Sequence, residues 1–144
     1  MYYRVKKIVG LILSLSIILS LTIPVLAASP RANEYITYTE ARITKTGSGS
    51  FSVEFDVDAT RVMKELGAKE ITIYEQQSNG TYEEVKTFTR YNTSGLIDTN
   101  VITADGGVTY GGTVGTRYYA TVAIYAKDAS GSETLYCDTK IITA

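Results

Sequence analysis

The chain has no histidine, no tryptophan and a single cysteine, Cys137. Without histidine it lacks the commonest protein metal ligand and the usual general base at neutral pH. One cysteine excludes an intrachain disulfide, so the fold must rest on its hydrophobic core. An excess of positive charge is missing as well. Fourteen Lys and Arg stand against 15 Asp and Glu, for a net charge of −1. Such a balance offers no electrostatic footprint for nucleic acid or an anionic membrane surface.

What is present begins with a targeting signal. Arg4, Lys6 and Lys7 precede an apolar run from Ile8 to Leu26, and Val25-Leu26-Ala27 places small side chains at the −3 and −1 positions of a cleavage site. This order predicts a secretory signal peptide over residues 1–27, and hence a secreted, extracellular protein. A retained membrane anchor is the competing reading, since the run approaches the roughly 20 residues that span a bilayer. Pro24 and the small residues after it favour cleavage, and no membrane insertion is expected afterwards. With no cysteine near the exit a lipoprotein anchor is not expected, and from Ile142-Thr143-Ala144 no cell-wall anchor is expected either. Losing Arg4, Lys6 and Lys7 shifts the balance to 11 basic against 15 acidic residues, or −4. The sequence then divides into a polar leader (28–34) and one domain (35–144), expected as a monomer.

The domain reads as β-structure throughout. Phe51, Val53, Phe55 and Val57 alternate with Ser52, Glu54, Asp56 and Asp58, a half-buried strand with a firmly set register. The stretch Arg117–Lys127 alternates in the same way, with Tyr118, Ala120, Val122, Ile124 and Ala126 on the inner face. It is expected as the central strand, entered from a corner at Gly115. Residues 35–43 suit an edge strand. Glu70–Glu75 and Tyr82–Thr89 form a hairpin across Ser78-Asn79-Gly80-Thr81, with Ile71 and Ile73 inward and Val85 and Phe88 as apolar anchors of the return. Thr60, Val62, Met63, Leu66 and Gly67 suggest a helical turn or two over 59–66, plugging one end of the core. Residues 90–105 read as a crossing between sheets, and 106–113 as a short strand bracketed by glycines. The last strand is expected to place Leu135, Cys137, Thr139 and Ile141 on one face and Tyr136, Asp138 and Lys140 on the other. About seven strands and no long helix predict an all-β fold, a single antiparallel β-sandwich.

The residues Gly115-Thr116-Arg117-Tyr118-x-Ala120-x-Val122-x-Ile124-x-Ala126 resemble the sixth-strand motif of fibronectin type III domains, within the immunoglobulin-like group. That resemblance implies that Tyr118 is a corner residue whose hydroxyl bonds the backbone of the preceding turn. It covers the C-terminal half of the domain; the family's second-strand tryptophan is absent and the 60s segment is longer. The whole chain also resembles small secreted Gram-positive bacterial proteins known as a domain of unknown function, which implies no activity.

The candidate chemistry is sparse. Cys137 alternates with core residues and is expected to be an inert small hydrophobe. Asp56, Asp58, Asp98 and Asp105 lack the dense spacing of a calcium loop, so no metal is expected. Glu83 and Glu84 are adjacent on a strand, point to opposite faces and cannot act on one bond. No cofactor and no enzymatic activity are expected. Tyrosine is the abundant aromatic. By alternation Tyr74, Tyr119, Tyr125 and Tyr136 face outward, a candidate strip for protein or glycan contacts or a purely strand-stabilising feature. The leading functional expectation is a secreted, non-catalytic binding or adhesion module for an unknown protein or glycan. The alternatives are a toxin- or inhibitor-like effector presenting the 90–113 segment as a loop and, last, a small hydrolase.

Overall fold

A computed structural model describes residues 34–144. The expected signal peptide and the leader up to residue 33 lie outside the described residues. The strands run in the order β1 (Ile36–Gly47), β2 (Ser50–Met63), β3 (Glu65–Gln76), β4 (Tyr82–Thr89) and β5 (Ile97–Asp98). They continue with β6 (Val101–Gly111), β7 (Arg117–Lys127), β8 (Ser132–Asp138) and β9 (Ile142–Thr143). One antiparallel sheet has the order β1-β2-β6; the other follows β4-β3-β7-β8, with β5 added to β3 and β9 to β7. Of the nine strands among the described residues two are two-residue additions, which is why the sequence suggested about seven.

The alternating sequences place the core between the sheets. Phe51, Val53, Phe55 and Val57 of β2 are buried, facing Ile71 and Ile73 of β3 and Tyr118, Ala120, Val122, Ile124 and Ala126 of β7. Burial at every second position follows from the pleat, which sends successive side chains to opposite faces. One end of the core is aromatic. The Tyr118 ring lies 5.0 Å from Phe51, and Tyr110 closes the group at 5.6 Å from Phe51.

Residues 59–66 are not helical. β2 continues to Met63 and β3 begins at Glu65; Ala59 pairs with Ile36 and the Thr60 amide donates to the Tyr35 carbonyl at 2.8 Å. A register shift between Asp58 and Met63 then leaves Val62 outside, 61% exposed, and turns Met63 inward. The chain passes to the second sheet across Lys64 alone, whose amide donates to the Lys127 carbonyl. Strand pairing with Tyr35 and Ile36, a non-local partner, overrides the helical spacing. Met63 and Leu66 still fill the core end.

Three further expectations change. Val85 is exposed because it is the extra residue of a bulge: Ile73 pairs Lys86 and Tyr74 pairs Glu84, which skips it. Ile141 is exposed because β8 ends at Asp138. Thr139 then turns the chain, its hydroxyl accepting from the Ala120 amide and donating to the Lys140 carbonyl, and Ile142 packs against the core instead. Residues 90–100 turn past buried Leu96 and the two-residue β5 and carry the chain from one sheet to the other as expected, but β6 already starts at Val101, with Ala104 and Val108 buried, so the short strand expected over 106–113 is the end of a longer one.

Candidate functional site

The four tyrosines singled out from the sequence all lie on the outer face of the β4-β3-β7-β8 sheet, but not in one strip. Tyr74 and Tyr119 are register partners, with rings stacked at 4.8 Å and 9°. Tyr82 of β4 meets Tyr119 edge-on at 5.1 Å. In this trio the ring faces are largely turned on one another, and burial raises the Tyr119 hydroxyl pKa, with smaller contributions from Tyr74, Asp138 and Tyr82. Tyr125 is six residues along β7, about 20 Å away at strand rise. Between them lies a polar band: the Thr72 and Thr87 hydroxyls 3.4 Å apart, and the Thr121 hydroxyl donating to Asp138 at 2.6 Å.

The other end of this face has a different character. A bulge sets two residues, Lys69 and Glu70, against Ala123 alone, so both reach the outer side. Lys69 Nζ donates across the sheet to Thr134 of β8 at 3.3 Å. Arg90, at the end of β4, lies 5.0 Å from the Tyr91 ring and 5.2 Å from the Tyr125 ring, a guanidinium held against two aromatic faces. Its Nη1 donates to Glu65 at 2.6 Å, and Lys127 donates to the other Glu65 oxygen at 3.4 Å. Burial pushes the Glu65 carboxyl up, but the Arg90 and Lys127 hydrogen bonds outweigh it and hold the group below its usual range. Lys69, Arg90, Tyr91 and Tyr125 line a shallow pocket of about 190 Å³. Tyr136, opposite Ala123, is a diagonal neighbour of Tyr125, at the roughly 7–8 Å such pairs span.

Tyr91 is 85% exposed and Tyr136 69%. Tyr91 and Arg90 were missed from the sequence because they follow the last alternating residue of β4, where period-two reasoning has nothing to say about direction.

The remaining singled-out residues are structural in their surroundings. Tyr118 is buried, and its hydroxyl oxygen accepts from the Thr113 amide at 2.8 Å. Gly115 adopts φ +84°, and its amide donates to the Ala144 carbonyl. Cys137 is half-buried rather than enclosed, its Sγ 3.0 Å from the Thr39 hydroxyl of β1. Asp56 faces Asp105 across β2–β6, whereas Asp98 sits in β5 on the other sheet. Among the described residues no three acidic or cysteine side chains converge as a metal cage.

No family model and no curated protein matches the chain. Among solved structures it is similar to a late embryogenesis abundant (LEA) protein determined in solution. That match has 13% identity and a TM-score of 0.44, over 99% of this chain and 88% of the other.

Proposed function

We propose that the protein is a secreted, non-catalytic binding module on a fibronectin-III-like or immunoglobulin-like sandwich. Its ligand surface is the Arg90, Tyr91, Tyr125 and Tyr136 end of the outer sheet face. The fold reading is supported by Tyr118, which stands at the start of β7 and ties its hydroxyl to a backbone amide five residues upstream, as a tyrosine corner does. The binding reading is carried by one observation: Arg90 lies against Tyr91 and Tyr125 beside Lys69, with Tyr91 and Tyr136 open to solvent. Aromatic faces with cations at their rim suit a protein surface or a glycan, above all one bearing carboxylates or phosphates. The Tyr74, Tyr82 and Tyr119 trio belongs to the stability of the sheet, since its faces are engaged with each other.

The test is retention on immobilised envelope polysaccharides and on extracellular-matrix proteins. Tyr91→Ser with Tyr136→Ser is expected to weaken binding at least tenfold, as loss of interface anchors does. Tyr38→Ser, on the other sheet, should leave it unchanged. Equal retention of the double variant and the parent rejects this surface.

A further inference from the structure

A free strand edge is a template for another chain, and natural sheets blunt their edges with charge, proline, bulges or brevity. β1 carries Glu40, Arg42 and Lys45 with a register irregularity near Ile36. β4 carries Glu83, Glu84 and Lys86 and the bulge at Val85. β8 is 7 residues long and bears Glu133 and Asp138. The fourth edge, β6, has 11 residues, one charged side chain (Asp105), no proline, no bulge over residues 103–111, and three glycines. Among the described residues its outward backbone groups have no hydrogen-bond partner beyond the β2 ladder. Such bare amides and carbonyls can pair with an added strand.

The face beside that edge is acidic. Glu40, Asp56 and Asp105 stand in one cross-strand row and Arg42, Glu54 and Gly107 in the next. Like charges directly opposite one another weaken a sheet. Arg42 turns back to Glu40 and Asp56, so that among the described residues Glu54 has only the Ser52 hydroxyl, at 3.2 Å, and Asp105 has no ion pair. A Cβ on Gly107 would meet the Val53 carbonyl oxygen at 2.5 Å and the Glu54 side chain at 3.1 Å, so the row carries no side chain there, and a groove of about 380 Å³, lined also by Arg42, opens beside it. On the inner side, the Gly95 carbonyl and the Phe55 ring already fill the space at Gly106, so recognition falls to the outer face.

We propose that the free edge of β6 receives an extended, basic peptide segment as a fourth strand, its alternate Lys or Arg side chains lying over Gly107 against Glu54 and Asp105. The added strand stands about 5 Å beyond β6 and so about 10 Å from β2. A lysine or arginine stem, about 6 Å long, bridges most of that distance across the glycine gap. The backbone supplies affinity, and the carboxylates select the side chains. A second copy of this chain is the poorer occupant, because it would bring another acidic face against this one.

The experiment is fluorescence anisotropy with a labelled eight-residue peptide alternating Lys and Thr. Controls are its Glu/Thr counterpart and two copies N-methylated on one or the other alternate set of amides. The Lys/Thr peptide is expected to bind, the Glu/Thr peptide not to bind, and one N-methylated copy to fail while the other binds. Glu54→Gln with Asp105→Asn should lower affinity at least tenfold at unchanged melting temperature, and amide exchange should slow over residues 103–109 on binding. Tyr91→Ser should have no effect, which separates this edge from the tyrosine surface. Failure of the Lys/Thr peptide to bind, or binding by both N-methylated copies, overturns strand addition. An unchanged affinity in the carboxylate variant overturns the recognition. Protection of β6 in a dimer without peptide assigns the edge to a second copy and also overturns it.

Discussion

The Tyr118 hydroxyl accepts a hydrogen bond from the Thr113 amide at 2.8 Å, while its ring is fully buried beside Phe51 and Tyr110. The bond joins the aromatic end of the core to the corner between β6 and β7. Tyr118→Phe keeps the ring but leaves that partly buried amide without its acceptor, at a cost of about 1–3 kcal/mol. Calorimetry should show a melting temperature lowered by roughly 4 °C or more. An unchanged melting temperature removes the corner from the list of stabilising contacts.

Two glycines separate backbone strain from steric exclusion. A Cβ on Gly67 would lie 2.1 Å from the Leu96 carbonyl oxygen, where β3 meets β5, whereas a Cβ on Gly95 meets nothing within 4 Å. Both have positive φ, +143° and +78°. Gly95→Ala should therefore cost only the left-handed strain, about 1–2 kcal/mol. Gly67→Ala must move the backbone and should cost several times more or prevent folding. Equal denaturation midpoints in urea would contradict the close approach.

Tyr74 and Tyr119 are expected to couple through their stacking by about 0.5–1.5 kcal/mol in a double-mutant cycle to alanine. Additive single effects would mean that the pair contributes only by area.

The Asp128 carboxylate accepts from the Ser130 hydroxyl, from Arg61, and from the Ser130 and Gly131 amides, and these hold its pKa well below the ordinary carboxylate value. Its stabilising effect is complete above the unfolded-state value of 3.8 and declines as pH falls below it toward the folded-state value. Glu40, held down by the Tyr38 hydroxyl and by Arg42, and Glu65 act in the same direction. Asp128→Asn should therefore be less stable than the parent at pH 7 and lose less stability between pH 4 and pH 2. Parallel acid limbs for parent and variant would refute the assignment.

How much of this was legible in the sequence varied with the kind of signal. The β2 and β7 rows were readable because one face meets the core and the other water, and the pleat converts that contrast into strict alternation. The hairpin at Asn79-Gly80 was readable because Gly80 supplies the positive φ its turn uses. Val85 and the Lys69/Glu70 pair were not, since a bulge depends on which residue faces it across the sheet. The tyrosine strip was legible only as a list of outward residues. Its division into a stacked trio and an Arg90-centred pocket came from strand order and from side chains beyond the end of β4.

The sequence by itself determined an all-β chain with a central strand at Arg117–Lys127 and core rows at Phe51–Val57 and Ile71–Ile73, because hydrophobic burial acts on each strand locally. Only the tertiary structure decided that residues 59–63 extend a strand, that Ile141 yields its place to Ile142, and that β6 ends its sheet beside Glu54 and Asp105. Those outcomes depend on hydrogen-bond partners distant in the chain, and no local pattern of residues carries that information.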